Sequence, residues 1–309
     1  MMSKIIIGSR GSKLALWQTN FIKKELKKIN KNLEVEIKII KTKGDKILNK
    51  ALSKIGDKSL FTKELEEALL KNKIDIAVHS LKDLETTLPK DLKLAVVTKR
   101  HSVEDVLIST KKKMTISSLP QNAVVATGSL RRKSQLLHLR PDITVVDLRG
   151  NVPTRINKFL NSNWDAIILA RAGVERLKLK KYISSYIKTY EIVPAVGQGA
   201  LGIEINKNNK TAEELIKPLH DENTFFAISA ERAFLKTLGG GCQVPVGANA
   251  EIKSNGLYLS GVIASLDGRI TYSKKILGKK EDCEKLGKSL AQDLLKAGAK
   301  KILNDIYKK

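Results

Sequence analysis

Two cysteines far apart, Cys242 and Cys283, are all that 309 residues carry. That excludes a disulfide framework and makes a reducing compartment the default. Aromatic residues are only 5% of the chain, so its cores must be built from Ile, Leu, Val and Ala. No apolar run approaches the roughly 20 residues needed to span a membrane. The opening MMSKIIIG holds too short an apolar run for a signal peptide, and the expectation is a soluble, cytoplasmic protein. The four histidines (His79, His101, His138 and His220) show no metal-ligand spacing with a cysteine, so no metal site is expected. Tandem repeats and low-complexity segments are absent. What remains is a chain long enough for two or three domains with proper cores.

Charge is abundant and lopsided. The formal net charge is +25, which invites a nucleic-acid partner. The two basic residue types are distributed differently, however. Of 57 basic residues, 46 are lysines spread along nearly the whole chain, as solvated helix faces would be. The other 11 are arginines, and seven of them fall between positions 131 and 176: Arg131, Arg132, Arg140, Arg149, Arg155, Arg171 and Arg176. Arginine is the planar, bidentate partner of carboxylate and phosphate, a role lysine fills poorly. A chain that usually writes Lys and here writes Arg points to a site for anions rather than to nucleic acid.

Short apolar runs alternate with amphipathic stretches. Ile5–Ile7, Val35–Ile40, Ile74–Val78 and Leu94–Val97 read as strands. Between the first two, Ala15, Thr19, Ile22, Leu26 and Ile29 mark one helical face. A second unit repeats the pattern: strands at 124–126, 143–146 and 166–169, with helices over 130–139, 153–160 and through Glu175. A glycine-rich crossing at 195–200 leads to a strand at 201–205. The tail differs, with a helix over 224–238, strands at 257–263 and 270–275, and a final helix from about Asp282 to Ala297. The expected class is α/β: two α/β domains with mostly parallel sheets and a smaller C-terminal α+β domain. The expected domains are 1–99 with 200–218, then 100–199, then 219–309.

Three strand-to-helix junctions carry anion-binding chemistry. They are Ser9-Arg10-Gly11-Ser12, then Thr127-Gly128-Ser129-Leu130-Arg131-Arg132, then Arg149-Gly150-Asn151-Val152-Pro153-Thr154-Arg155. Helix N-termini offer free N–H groups and the positive end of a dipole. Ligands of open α/β sheets collect beyond the carboxyl ends of the strands. The competing reading of each junction is plain helix capping by Ser, Thr or Asn. Three junctions that all contain arginine favour a polyanion site. In His79-Ser80-Leu81-Lys82-Asp83 the carboxylate of Asp83 also falls at a strand end. Positive neighbours would keep it ionised, able to hold a cation and shuttle a proton; a surface Lys-Asp pair is the alternative.

The last signal is Gly239-Gly240-Gly241-Cys242-Gln243-Val244-Pro245. Three glycines before a thiol and a proline after it suit a bare turn that holds sulfur within reach, not a helix or strand interior. Cys242 therefore reads as chemical and Cys283, in a charged helix-like segment, as inert.

Together these segments resemble the porphobilinogen deaminase (hydroxymethylbilane synthase) family over essentially the whole chain. The carrying motifs are HSLKD at 79–83, SLRR at 129–132, LRGNV at 148–152, PAVGQGA at 194–200 and GGGCQVP at 239–245. The resemblance implies a transferase of haem biosynthesis with two periplasmic-binding-protein-like α/β domains. It implies a dipyrromethane cofactor held as a thioether on Cys242, onto which four porphobilinogen units are added with loss of ammonia. Hydrolysis then releases hydroxymethylbilane. By the same resemblance Asp83 is catalytic, stabilising the azafulvene cation left by ammonia. Lys82, Asp45, Thr127, Ser129, Arg131 and Arg132 hold the cofactor. Arg10, Ser12, Ser80, Arg149, Arg155 and Arg176 bind substrate carboxylates, and Lys54 and Lys58 lie in a covering segment. A monomer is implied, with porphobilinogen as its small-molecule partner.

The chain departs from the family pattern at Leu84-Glu85, at Gly128, at Asp57 and at Ser102-Val103-Glu104-Asp105. A non-catalytic anion-binding protein of the same fold is the main rival. It leaves the Cys242 loop unexplained.

Overall fold

The computed structural model describes residues 4–46, 60–240 and 244–307. Cys242, Lys54, Lys58 and the departure at Asp57 lie outside the described residues. The chain divides into two compact units, with boundaries after His101, after Gln198 and after Phe225.

Strands are numbered in chain order: β1 (Lys4–Ser9), β2 (Glu34–Ile39), β3 (Ile76–Ser80), β4 (Leu92–Val97), β5 (Asp105–Ser109), β6 (Val124–Ala126), β7 (Thr144–Val146), β8 (Ala166–Ala170), β9 (Ile183–Ile187), β10 (Leu201–Asn206), β11 (Val246–Lys253), β12 (Gly256–Ala264) and β13 (Thr271–Gly278). The helices used below are α1 (Lys13–Ile29), α2 (Lys43–Lys46), α3 (Lys63–Leu70), α4 (Leu130–Leu139), α5 (Val152–Leu160), α6 (Arg171–Arg176), α7 (Lys210–Ile216), α8 (Glu222–Thr237), α9 (Cys283–Leu294) and α10 (Lys300–Tyr307).

The first unit is built on a five-stranded sheet of order β2-β1-β3-β10-β4. β1 pairs parallel with β2 and β3, and β10 runs antiparallel between β3 and β4. A strand from late in the chain thus fills an interior place in the sheet, and it is buried from Leu201 through Ile205. Ile22 and Leu26 of α1 pack with Ile5, Ile7, Ile76, Val78, Ile203 and Ile205 in one core.

The second unit repeats the arrangement. Its larger sheet has the order β7-β6-β8-β5-β9, again with one reversed strand, β5, in fourth place. The same unit holds an antiparallel meander, β11-β12-β13. Phe234 of α8 and Leu290 and Leu294 of α9 close its core over Leu257 and Leu259. Gly261 permits this approach, because a Cβ there would stand 2.8 Å from the Phe234 ring. The architecture is the α/β class expected from the sequence, with its two mostly parallel sheets and smaller C-terminal α+β part. Among the described residues no helix is long and apolar enough to cross a membrane.

Two expectations of the sequence need correction. The single final helix over 282–297 is instead two helices, α9 and α10, broken over Leu295–Ala299. Gly298 takes φ +120 there, where a Cβ would meet the Tyr272 hydroxyl at 2.5 Å. Strands β5, β9 and β11 have no counterpart in the sequence reading. After Val246, β11 runs through Gly247-Ala248-Asn249-Ala250, residues with little strand propensity that its neighbour β12 holds in place.

Candidate functional site

In the first unit, the carboxyl ends of β1 and β3 deliver the residues singled out from the sequence. β1 ends at Ser9, so Arg10 emerges at its tip and Ser12 caps α1, accepting from the Ala15 N–H at 3.2 Å. β3 ends at Ser80, and one 3₁₀ turn, Leu81–Asp83, follows. Leu81 anchors that turn: its side chain is buried and its N–H donates to the Ala200 carbonyl at 3.1 Å. Arg10, Ser12, Gln18, Phe61, Ser80 and Asp83 thereby line one solvent-open cleft of about 410 Å³. Gln18 fixes Ser80 by donating to its Oγ at 2.7 Å.

Arg10 lines the cleft together with Asp83 and makes its own ion pair there. Its guanidinium donates to both carboxylate oxygens of Asp45 and lies 4.1 Å from the centre of the Phe61 ring. Burial pushes the Asp45 carboxyl up, but Arg10 and the Thr42 hydroxyl outweigh it and hold the group below its ordinary value. Asp45 therefore orients Arg10. The half-buried Asp83 carboxylate shows no hydrogen bond or ion pair among the described residues.

His79 also lines the cleft, and its Nε2 lies 3.0 Å from Glu204 Oε2, with both side chains buried. Strand register places Glu204 of β10 opposite Ala77, two residues from His79 on β3. Nearby, burial pushes the Glu66 carboxyl up. His79 is thus a packed, hydrogen-bonded histidine. The sequence reading missed Glu204, which an acidic residue inside an apolar strand could have signalled.

The second unit gathers the arginines. Ser129 caps α4, Thr127 accepts from the Ser129 N–H at 3.3 Å, and Arg131 and Arg132 open the helix. Both arginines are buried. Their shared partner is Asp105, fully buried at the start of β5, which accepts from Arg131 Nη2 at 2.9 Å and from Arg132 Nη2 at 2.8 Å. Burial pushes the Asp105 carboxyl up, yet the two guanidinium groups prevail and hold it far below the usual carboxylate range. Sequence reasoning noted Asp105 only within a departure from the family pattern. An acidic residue heading the run Val106-Leu107-Ile108 needs a buried cation, and that signal was available.

Asn151 caps α5, accepting from the Thr154 N–H at 3.0 Å. Gly150 makes the turn with φ +117, and Arg155 Nε donates to its carbonyl at 2.7 Å. Burial pushes the Arg149 guanidinium down against the pull of Asp147. Burial likewise pushes Arg176, on α6, down to about 10. At Gly128 a Cβ would stand 2.5 Å from the Leu148 carbonyl oxygen, so this backbone has no room for a side chain there. All three junctions are capped by their own side chains, as the capping reading expected.

Comparison with known proteins adds the decisive observation. Residues 5–214 match the family model "Porphobilinogen deaminase, dipyromethane cofactor binding domain". Residues 225–296 match "Porphobilinogen deaminase, C-terminal domain". The chain belongs to the porphobilinogen deaminase family. The porphobilinogen deaminase of Carboxydothermus hydrogenoformans is 51% identical over 306 residues, covering 99% of this chain and 98% of that protein. That of Chloroherpeton thalassium is 47% identical over 310 residues, covering 99% and 98%. Among solved structures, a putative methionine-binding lipoprotein of Bacillus subtilis aligns with 72% of this chain and 94% of its own, at 12% identity and a TM-score of 0.44.

The residues present fit the dipyrromethane that defines the porphobilinogen deaminase family. The Nε atoms of Arg131 and Arg132 are buried and have no hydrogen-bond acceptor among the described residues. A desolvated N–H left unpaired costs about 1–3 kcal/mol. Carboxylates are strong acceptors for such charged donors, and a dipyrromethane assembled from porphobilinogen carries them.

Proposed function

We propose that the protein is a hydroxymethylbilane synthase, a transferase that joins four porphobilinogen units with release of ammonia and frees the linear tetrapyrrole by hydrolysis. The observation that carries this reading is the buried arginine pair whose Nε–H donors find no acceptor among the described residues, in a chain whose first two thirds match a dipyrromethane-binding domain. The dipyrromethane, when bound, supplies the end from which the pyrrole chain is extended.

The protein's own residues would do the rest. Asp83, half-buried and unengaged, accepts from a pyrrole N–H and balances the positive charge that develops as ammonia leaves. Arg10 and Ser12, in the same cleft, receive substrate carboxylates, with Asp45 holding the guanidinium in place. Thr127, Ser129, Lys82, Arg131 and Arg132 hold the cofactor. Arg149, Arg155 and Arg176 bind the acetate and propionate groups of the lengthening chain, whose charge grows with every unit. Arg149→Leu is expected to slow elongation through a KM raised about tenfold, the worth of one charge-assisted hydrogen bond. Unchanged steady-state kinetics would give Arg149 a structural role instead.

Cys242 is the thioether anchor in this reading. The other cysteine supports it by contrast: Cys283 is buried, and burial pushes its thiol up, away from the reactive thiolate. Intact mass of the purified protein beside Cys242→Ser tests both anchor and function. The expected result is an excess of two porphobilinogen units less two ammonias, absent from the variant. A bare mass that stays bare after incubation with porphobilinogen would favour a binding protein.

Three domains within the two units (1–99 with 200–218, 100–199 and 219–309), a monomeric state and a cytoplasmic location complete the proposal. The dispersed lysines support a solvated surface with no nucleic-acid partner.

A further inference from the structure

The arginine pair is held by an unusual frame. Asp105 Oδ1 accepts not only from Arg132 but also from Gln198 Nε2 at 2.9 Å. The same Gln198 nitrogen donates to the Val103 carbonyl at 2.6 Å. Gln198 sits in the glycine-rich crossing, between Gly197 at φ +76 and Gly199 at φ +88, two flanking positions where a β-carbon would be strained. Main-chain carbonyls occupy the remaining terminal nitrogens: Val193 accepts from Arg131 Nη1 at 2.8 Å and Ile168 from Arg132 Nη1 at 3.1 Å. Gln135 closes the ring, donating to Val193 O and accepting from the Val193 N–H.

Every terminal guanidinium nitrogen therefore has a protein acceptor, and among the described residues the two Nε–H groups have none. Charge tells the same story. Two buried cations face one buried anion, which leaves one positive charge without a counter-ion in this group. An unbalanced buried charge is costly and calls for a partner.

We propose that Asp105 and Gln198 are positioning residues, which lock Arg131 and Arg132 in one frame so that the Nε edges and the surplus charge are presented to a carboxylate of the dipyrromethane. This rests on the cofactor reading above. It gives the glutamine of the AVGQGA motif a role: it fixes the orientation of Asp105, and through it both arginines.

The test uses unloaded full-length protein, incubated with porphobilinogen and followed by intact mass. Wild type is expected to gain two porphobilinogen units less two ammonias. Gln198→Ala keeps every charge, and is expected to take up that mass about tenfold more slowly, the cost of one hydrogen bond to a charged group. Its unloaded form should melt within a few degrees of wild type, since the ion pairs remain. Asp105→Asn leaves two buried cations without an anion, so its unloaded form should lose more stability than its loaded form, widening the melting gap between them. A residue of purely structural importance would lower both melting points together and leave uptake unchanged. Uptake at the wild-type rate in Gln198→Ala, with an unchanged gap in Asp105→Asn, overturns the inference alone. If Asp105→Asn does not fold, uptake by Gln198→Ala decides. Wild type that gains no mass overturns the cofactor reading and the inference with it.

Discussion

Asp83→Ala should lose about 10²–10⁴-fold in the rate of hydroxymethylbilane formation, the range a positioned proton-transfer group supplies. The fold should survive, for a structural reason. The turn that carries Asp83 is held by the buried Leu81 and its N–H bond to Ala200, neither of which involves the carboxylate. Among the described residues the Asp83 side chain has no ion pair to lose. Removing it therefore deletes the proposed substrate-facing group without unbalancing a buried network. Rates are to be read beside circular dichroism and melting of the same preparation. A variant that turns over near the wild-type rate would take Asp83 out of the mechanism. Asp83→Asn separates charge from hydrogen bonding, since the amide oxygen still accepts from a pyrrole N–H while the negative charge is gone.

Much of this site was legible because the chain places chemistry where local signals are strong. Ile5–Ile7 and the apolar run into His79 announce strands, and the polar residues after them fall at strand ends by periodicity alone. Pro153 at the start of α5 and Ser129 before α4 mark helix starts directly. The hidden part is non-local. Nothing near Leu201 says that its strand inserts between β3 and β4, about a hundred residues back, nor that β5 runs against β8. The frame around the arginines is non-local in the same way. Asp105, Arg131, Val193 and Gln198 span nearly a hundred residues and meet only when the second sheet forms. Sequence periodicity reports which face of an element is buried, and it is silent about which buried polar groups find each other. The one usable hint is energetic: an Asp or Glu inside an apolar run, as at Asp105 and Glu204, requires a buried partner. The partners of Arg10 are hidden for the same reason, since neither the Asp45 carboxylate nor the Phe61 ring adjoins it in sequence.

That hint supports the second large effect. Arg132→Leu, measured by urea denaturation of the loaded enzyme at neutral pH, should cost about 3–5 kcal/mol, the penalty for breaking a buried ion pair from one side. The buried Asp105 keeps Arg131 and Gln198 but loses one of its two cations. The dependence on pH identifies Asp105 as the group responsible. Its carboxyl titrates far below the ordinary value of about 3.9 when the protein is folded. A depressed carboxyl contributes stability that is fully present above the unfolded value and is lost as pH falls toward the folded one. Arg132→Leu weakens that depression, so the wild type has more to lose in acid than the variant does. The stability gap between them should therefore stay constant from pH 7 down to about 5, and narrow below about 4. A gap that does not change across this acid window would assign the loss to packing of the arginine stem rather than to its charge. Arg132→Met, which keeps an unbranched stem and removes the guanidinium, then separates the two contributions.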